Sequence, residues 1–431
     1  MAVTSTVISN AQRVYLEGIF KEYQNLPDFW RFFEQEQEEV PTNFKGRQVA
    51  IETKPNPSIS FGSLEGGDLA APSNPTLNNF TVNYQWMNTG LEETYGAMLN
   101  NPRETVGDPL MRAAKSTAEQ FYQWLNYYAS DGNGTTRLAT ASANYSGGTP
   151  TIFTANGTTD GFGATRIVDG MLFYVYDPTG TTQRTGTVGA GALTVASHTN
   201  TAVTATTNLP SDFVIGDIIV PTGGNQTGFK GLPYLVNNTG NYFNLSRSSV
   251  PQLQSTVVNA SSAALSTTLM MTLYNSVLYK SGRPDDNDIN WMTFATSPTQ
   301  LQAYYNLTTT NTQWMHTEAG RPGIDVGGKN VQFTWFGARL RRFFWIAATS
   351  LYLLDLTEGN LKCAMLKRPG ELTALPLGDW YQAFNGDTSV PKAARDKWWD
   401  IAADNYLRMP FKQGVIQSLD IAGLPVPKTT I

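Results

Sequence analysis

The chain has 431 residues, long enough for two or three packed units, and 41% of them are hydrophobic, so real cores are available. Charged residues are only 15%, against roughly 25% in an ordinary soluble domain, and the net charge of −5 argues against a broad basic face for nucleic acid. The single cysteine, Cys363, excludes an intrachain disulfide and a cysteine-based metal cluster, and no apolar run of about 18 residues is present to span a membrane.

Thr, Asn, Ser and Gly fill the place of the missing charges. Two readings of that composition stay open. A polar but uncharged exterior suits a surface that partners cover, because charges are costly to desolvate. It equally suits a Thr/Asn-rich β-protein that stays soluble alone. Met1-Ala2-Val3-Thr4 does not read as a signal peptide. Triplets such as Asn156-Gly157-Thr158 then reflect composition.

Residues 1–45 read as an arm. Ala11 to Tyr23 forms a short helix by pattern, interrupted by Pro27. Phe29-Trp30-Arg31-Phe32-Phe33 is a dense aromatic patch, followed by the acidic run Glu34 to Glu39. The patch either folds back on its own core or anchors under a neighbouring subunit. The freedom of an N-terminal arm favours the second, since buried aromatics dominate interfaces. Gly46 to Thr53 alternates with Val49, Ile51 and Thr53 on one face. Phe80 to Trp86 alternates with Phe80, Val82, Tyr84 and Trp86 on one face. Both are period-two strands. The Pro/Gly/Ser/Asn-rich stretch from Lys54 to Asn79 between them has little of its own to bury. Such a long connection tends to be functional, here a hairpin that lies on another copy of the chain.

Asp108-Pro109 opens a helix. Leu110, Ala114, Ala118, Phe121, Leu125 and Tyr128 form one stripe along it, and Asp131-Gly132-Asn133-Gly134 ends it. About 22 residues give roughly 33 Å, a spine for a flat domain. From Gly147 to Gly224 short strands dominate: Met171–Tyr176, Leu193–Val195, Ala202–Thr204 and Asp217–Val220, with a turn at Asp177-Pro178-Thr179-Gly180. Their spacing implies a small sandwich or barrel inserted into the chain. A helix follows over Ser262–Ser281, carrying Leu265, Leu269, Leu273 and Val277. Trp291–Ala295 reads as a buried strand, and Ser297-Pro298 caps a short helix with Leu301, Tyr304 and Tyr305. Strands are expected at Val331–Phe333 and Phe343–Leu354, a Trp-rich helix at Lys392–Tyr406, and a closing strand at Gly414–Ile421. Leu361–Leu366 reads as packed strand, which makes Cys363 a buried structural thiol. The class is α+β with a β-rich insert.

Chemistry has little support. His198 and His316 stand far apart, with no Gly-x-Ser-x-Gly elbow and no metal-ligand spacing. Gly186–Gly191 lacks Rossmann and Walker spacing and reads as a turn. Asp285-Asp286-Asn287-Asp288 lacks the calcium-loop pattern. Glu92-Glu93 could be posed with it as a glycosidase pair, but no pattern links them. Arg339-Leu340-Arg341-Arg342 is the one basic cluster. It reads as a solvated strand face, as an ion-pair partner for the Glu34–Glu39 run of another subunit, or, least favoured, as a DNA contact.

The order of these parts resembles the major capsid proteins of tailed bacteriophages, the Hong Kong 97-like fold, over nearly the whole chain. Phe61-Gly62-Ser63-Leu64-Glu65-Gly66-Gly67 with Pro72 is similar to the tip of that family's extended loop. Ala295–Leu301 is similar to its axial-domain strand-to-helix step, and Tyr352-Leu353-Leu354-Asp355 to a late peripheral-domain strand. The resemblance implies an arm at 1–45, an extended loop at 46–104 and a spine helix at 105–134. It further implies an axial domain at 135–307 with the β-rich insertion at 151–224, the rest of the peripheral domain at 308–405, and a closing axial strand at 406–431.

By the same resemblance, copies assemble as pentamers and hexamers into an icosahedral shell around double-stranded DNA. The protein is then a virion component put together in the bacterial cytoplasm. Inter-subunit contacts are expected at Phe29, Trp30, Phe32, Phe33, Arg47, Phe61, Leu64, Glu65, Leu69, Arg339, Arg341 and Arg342. A separate scaffolding protein is expected, because no heptad-bearing segment precedes the arm, and a decoration protein is a further candidate partner. Some relatives cross-link Lys to Asn. Lys45 and Lys54 lie near the loop, but no partner Asn or catalytic Glu is identifiable. No catalytic residue, cofactor or metal is expected. The rival readings are a tail-associated carbohydrate-active enzyme on a β-rich scaffold and a ring-forming portal or tail adaptor.

Overall fold

The computed structural model describes residues 2–3, 29–38, 46–54, 74–94, 109–142, 152–155, 162–186, 191–224, 228–281, 292–311, 334–335, 338–356, 359–366, 381–384 and 391–424. The first half carries β1 (Ala2–Val3), β2 (Glu34–Glu38), β3 (Gly46–Lys54), β4 (Thr76–Asn83), β5 (Gln85–Thr94) and helix α1 (Pro109–Asp131). Next come β6 (Ala139–Thr140), β7 (Ile152–Thr154), β8 (Leu172–Tyr176), β9 (Leu193–His198), β10 (Ala202–Ala205) and β11 (Ile218–Pro221). The short helix α2 (Leu232–Leu235), β12 (Asn241–Tyr242), β13 (Leu245–Ser246), β14 (Thr256–Asn259), α3 (Thr267–Ser281), β15 (Met292–Thr296) and α4 (Pro298–Asn311) follow. The chain closes with β16 (Thr334–Trp335), β17 (Ala338–Arg342), β18 (Leu351–Asp355), β19 (Leu361–Leu366), β20 (Tyr381–Phe384), β21 (Pro391–Leu407) and β22 (Gly414–Gln417).

Three six-stranded sheets organise these elements. The first runs β1-β5-β21-β19-β2, with β20 also on β21. The second, β6-β11-β8-β9-β10-β7, is antiparallel throughout. It closes on itself: Ala141 bridges Ala155, and Ser142 N–H donates to the Thr154 carbonyl at 2.9 Å. The insert is therefore a barrel, and it begins at Ala139, ahead of the expected start at 151. Phe153, Phe173 and Phe213 fill it together with Leu193, Val203 and Ile219. Closure leaves this Thr-rich segment without an open edge. At the predicted turn the exposed Asp177 carboxylate accepts hydrogen bonds from Thr179, Thr182 and Thr181, which hold its pKa down at about 2.

The third sheet runs β14-β22-β18-β15-β17-β16. Helix α3 packs Met270, Leu273 and Val277 against Phe294, Leu353 and Ile416 on it. Helix α3 starts five residues later than the pattern suggests, because Ser266 caps it: Leu269 N–H donates to Ser266 Oγ at 3.2 Å. Ser297 caps α4 as expected, accepting from Gln300 N–H at 3.2 Å. The expected domain division at 307 cuts this sheet: β15 pairs with β17 and β18, Met292 opposite Asp355, so Tyr352–Asp355 does not belong with the first sheet.

Several local readings are corrected. Lys392–Tyr406 is not a helix but part of the long strand β21, which pairs with β5 on one side and β19 on the other. Ladders on both edges override its helix-favouring Ala and Lys content. Of Phe343–Leu354 only Leu351 onward is strand; the preceding turns bring Phe343, Ile346 and Ala348 into the core. The closing strand stops at Gln417, where Ser418 takes a positive φ of 58°. Trp86 does not share a face with Phe80 and Val82. The chain passes from β4 to β5 at Tyr84, changing partner from β3 to β21, and Trp86 is 58% exposed. The Ala11–Tyr23 helix and the Val331–Phe333 strand lie outside the described residues, as do His316 and Asp285–Asp288. Cys363 is buried, and burial pushes its thiol pKa up, as befits a structural residue.

One central core joins the hairpin root, the C-terminal half of α1, α2 and the facing strands of two sheets. Glycine lets the backbones cross there. Gly231 N–H donates to the Gly132 carbonyl at 2.7 Å, and a Cβ on Gly231 would meet Tyr128 O at 2.2 Å. Gly231→Ala is expected to lower the thermal midpoint sharply or abolish soluble expression. Gly191→Ala, which meets nothing within 4 Å, is the matched control and is expected to leave the midpoint nearly unchanged, both read by scanning calorimetry.

Candidate assembly surfaces

The hairpin divides into two halves of opposite character. β3 and β4 pair from Gly46 opposite Asn83 to Lys54 opposite Thr76. At the root, Phe80 and Val82 are fully buried. The Phe80 ring stacks on Phe243 at 5.4 Å and meets Tyr242 edge-on at 5.2 Å. Thr81 N–H donates to Asn244 Oδ1 at 2.9 Å. Beyond the root, Asn74 to Asn79 are all exposed, and Leu77 keeps 65% of its surface in solvent. The alternation expected of β3 is present, with Val49 and Ile51 half-buried, Thr53 buried and Gln48, Ala50 and Glu52 exposed. Lys54 is exposed. The tip residues Phe61, Leu64, Glu65 and Leu69, and Lys45, lie outside the described residues.

The aromatic patch is corrected. Phe29, Trp30 and Phe33 are each 2% exposed within their own chain, so they are core residues and not free anchors. A short 3-10 turn over Trp30–Phe32 rolls them inward. Phe29 meets Phe343 edge-on at 4.9 Å, and Trp30 N–H donates to Asn126 Oδ1 of α1 at 2.8 Å. Phe32 stays half-buried against Phe343, with the Arg341 guanidinium 5.1 Å from its ring.

The basic cluster lies on β17 with Arg339 and Arg342 exposed and Arg341 half-buried. Within the acidic run expected to meet it from another subunit, β2 runs parallel to β19, and Glu36 pairs with Lys362 and Arg47 of the same chain. Arg47, expected at an interface, is thereby tied into its own subunit.

The barrel docks on α1 through a polar joint inside an aromatic box. Arg166 is almost fully buried. Its guanidinium donates to Asp131 Oδ2 at 3.0 Å and to the Tyr127 hydroxyl. It also lies 3.6 Å from the Tyr127 ring centre and 3.9 Å from that of Phe162. Arg137 reaches the same carboxylate at 3.4 Å. A second joint ties the chain after the barrel to β21: Lys230 Nζ and its backbone N–H each donate to Asp404 at 2.8 Å. Burial pushes the Asp404 carboxyl up, against the pull of Lys230.

Between β5, α1 and the barrel lies a groove of about 570 Å³, lined by Trp86, Phe121, Trp124, Leu138, Met171 and Phe229 among others, none of them acidic or basic. His198 pairs with Asp169 on the barrel surface, Nδ1 to Oδ1 at 2.7 Å. Among the described residues no group of three His, Cys, Asp or Glu side chains is placed to hold a metal ion, and no helix is long and apolar enough to cross a membrane.

No protein-family model matches the sequence, and no curated protein does. Among solved structures, a chain of the cyanophage A-1(L) capsid asymmetric unit matches with a TM-score of 0.50 at 13% identity, covering 88% of this chain and 90% of that one. The chain has the Hong Kong 97-like capsid fold. A Gordonia phage Cozz chain (TM-score 0.42, 10% identity, 90% and 85% covered) and the holo-SrpI encapsulin complex of Synechococcus elongatus PCC 7942 (0.42, 11%, 93% and 90%) are more remote likenesses.

On this Hong Kong 97-like scaffold the polar joints are what sequence reading passes over. Arg166 sits in a polar stretch with no periodicity, and its partner Asp131 reads as part of a turn. Only burial reveals that they meet. Arg166→Met removes the buried guanidinium from the Asp131 carboxylate, and breaking a buried pair costs about 3–5 kcal/mol. The expected result is an unfolding free energy, read from urea denaturation, lowered by that amount, with protease cleavage appearing in the linkers that flank the barrel.

Proposed function

We propose that the protein is the major structural subunit of a tailed-phage capsid, assembling as pentamers and hexamers into an icosahedral shell that encloses double-stranded DNA. The observation that carries this reading is the hairpin: on a capsid fold, its root is sunk in the subunit's own core while its outer residues Asn74–Asn79 bury nothing there. A two-stranded ribbon of that kind is marginal in water and gains stability by lying on another surface. A neighbouring copy is the natural surface, with Phe61, Leu64, Glu65 and Leu69 at the tip and Leu77 behind it as contacts. Many modest contacts of this kind, closed into rings, make a stable particle.

In this reading residues 1–45 are the arm, 46–104 the extended loop and 105–134 the spine helix. The barrel is a domain inserted into the axial part, and Arg339 and Arg342 face an interface. The net charge of −5 suits a container whose inner wall does not grip DNA tightly. Scaffolding and decoration proteins are further partners, and the virion is the expected location. The role is structural. Among the described residues the cavities beside α1 present one carboxylate, Asp131, already paired with Arg166, whereas a glycosidase needs two.

Negative-stain microscopy of the expressed chain tests the proposal. Shells or rings are expected from the full chain. A variant with residues 55–73 replaced by a short turn is expected to stay folded, with an unchanged thermal midpoint, and to form no shells. Shells of normal size from that variant would refute the role given to the hairpin.

A further inference from the structure

Glu36 gathers partners from three other strands of its own subunit. It sits at the centre of β2, opposite Ala364 of β19. One carboxylate oxygen, Oε1, accepts from Lys362 on β19. The other, Oε2, accepts from the Tyr406 hydroxyl on β21 and from Arg47 on β3, both at 2.5 Å. Arg47 in turn stands opposite Val82, the fully buried root residue of the hairpin. One side chain thus bonds elements from the arm's sheet and from the hairpin.

We infer that the Glu36 carboxylate is a latch that couples the N-terminal arm to the projecting hairpin, so that the two segments are held, and released, together. The inference concerns the single subunit and stands apart from shell formation.

The charges around Glu36 explain why its loss acts on both segments. Lys362 and Arg47 converge on it from two elements. Glu34, on the same face of β2, reaches Lys362 only at 3.6 Å and from a more exposed position. Asp404 and Cys363 lie near enough for Glu36 and Asp404 together to disfavour the thiolate, and Arg408 lies near Tyr406. Neutralising Glu36 removes the charge on which Lys362 and Arg47 converge and weakens the hydrogen bond from the Tyr406 hydroxyl. The attraction that draws β3 toward the arm's sheet through Glu36 is then lost. Because β2 has Glu36 as its inward link to Arg47, the arm loses the same contact at the same time.

The protonation sign follows from the same neighbours. Burial raises the Glu36 pKa, but hydrogen bonds from Lys362 and Tyr406 and the charge of Arg47 outweigh it and hold the carboxyl below its ordinary value. The coupling is therefore complete above the ordinary carboxylate range and is lost as pH falls through the lower value of the folded state.

Hydrogen exchange read by mass spectrometry on the full-length protein tests this. Glu36→Gln keeps the shape and removes the charge. It is expected to speed exchange roughly tenfold in both 34–38 and 46–54, with α3 unchanged. Lys362→Met, which leaves the Arg47 contact in place, is expected to loosen 34–38 more than 46–54. Faster exchange in 34–38 alone under Glu36→Gln, or in neither segment, overturns the inference. Should Glu36→Gln fail to fold, the unaltered chain decides on acidification, with exchange corrected for its intrinsic pH dependence. Loss of protection in both segments over one pH interval supports the latch, and loss over separate intervals overturns it.

Discussion

The structure depends on one aromatic core at the junction of the hairpin root, the spine-like helix α1 and the strands facing them. Residues 74–79 of the hairpin are exposed, so among the described residues the ribbon is fixed chiefly at its base. Phe80 stacked on Phe243, flanked by Tyr242 and Tyr406, supplies that base. The arm's Phe29, Trp30 and Phe33 enter the same core from the other side. Rings with few torsions give large buried area at small conformational cost, which suits a fulcrum. The aromatic part of the arm and the root of the hairpin are thus both packed within their own subunit.

Three cores must then hold a fixed relation, and polar joints serve where they meet. Arg166 with Asp131 fastens the barrel to α1, and Lys230 with Asp404 fastens the following segment to β21. Buried ion pairs add little net stability over apolar residues of similar volume, since desolvation offsets much of the attraction. Their value here is positional: an apolar patch tolerates sliding, whereas a carboxylate gripped from two directions does not. The close glycine crossing at Gly132 and Gly231 adds a steric limit to the same junction.

Much of this was legible in the residues, and the failures have physical causes. Period-two alternation identified β3 and the Phe80–Val82 part of β4, because each has one wet and one dry face, and regularly spaced turn signals identified the barrel strands. The stripe ending at Tyr128 and the Asp131–Gly134 turn identified α1 and its end. Lys392–Tyr406 misled because its composition favours helix, while its real environment is two hydrogen-bonded neighbours contributed by segments far away in sequence. Phe29–Phe33 misled for a related reason: an aromatic run announces burial but not whose surface does the burying. The sheet that joins β15 to β17, β18 and β22 crosses a boundary drawn from the order of elements alone. Arg166 and Lys230 carry no local pattern, and the acidic run around Glu36 does not tell whose cations it meets. A charged residue in a polar stretch reads as solvated until its long-range partner is known.

The central claim is that each subunit roots its hairpin in its own core and completes the hairpin's outer half against a neighbour. A cryo-electron microscopy map of the particles formed by this chain tests it directly. The account expects residues 74–79 to lie on an adjacent subunit while Phe29, Trp30, Phe33 and Phe80 pack within their own. A map with 74–79 folded back on the same subunit, or with the four rings inserted into a neighbour, would contradict it.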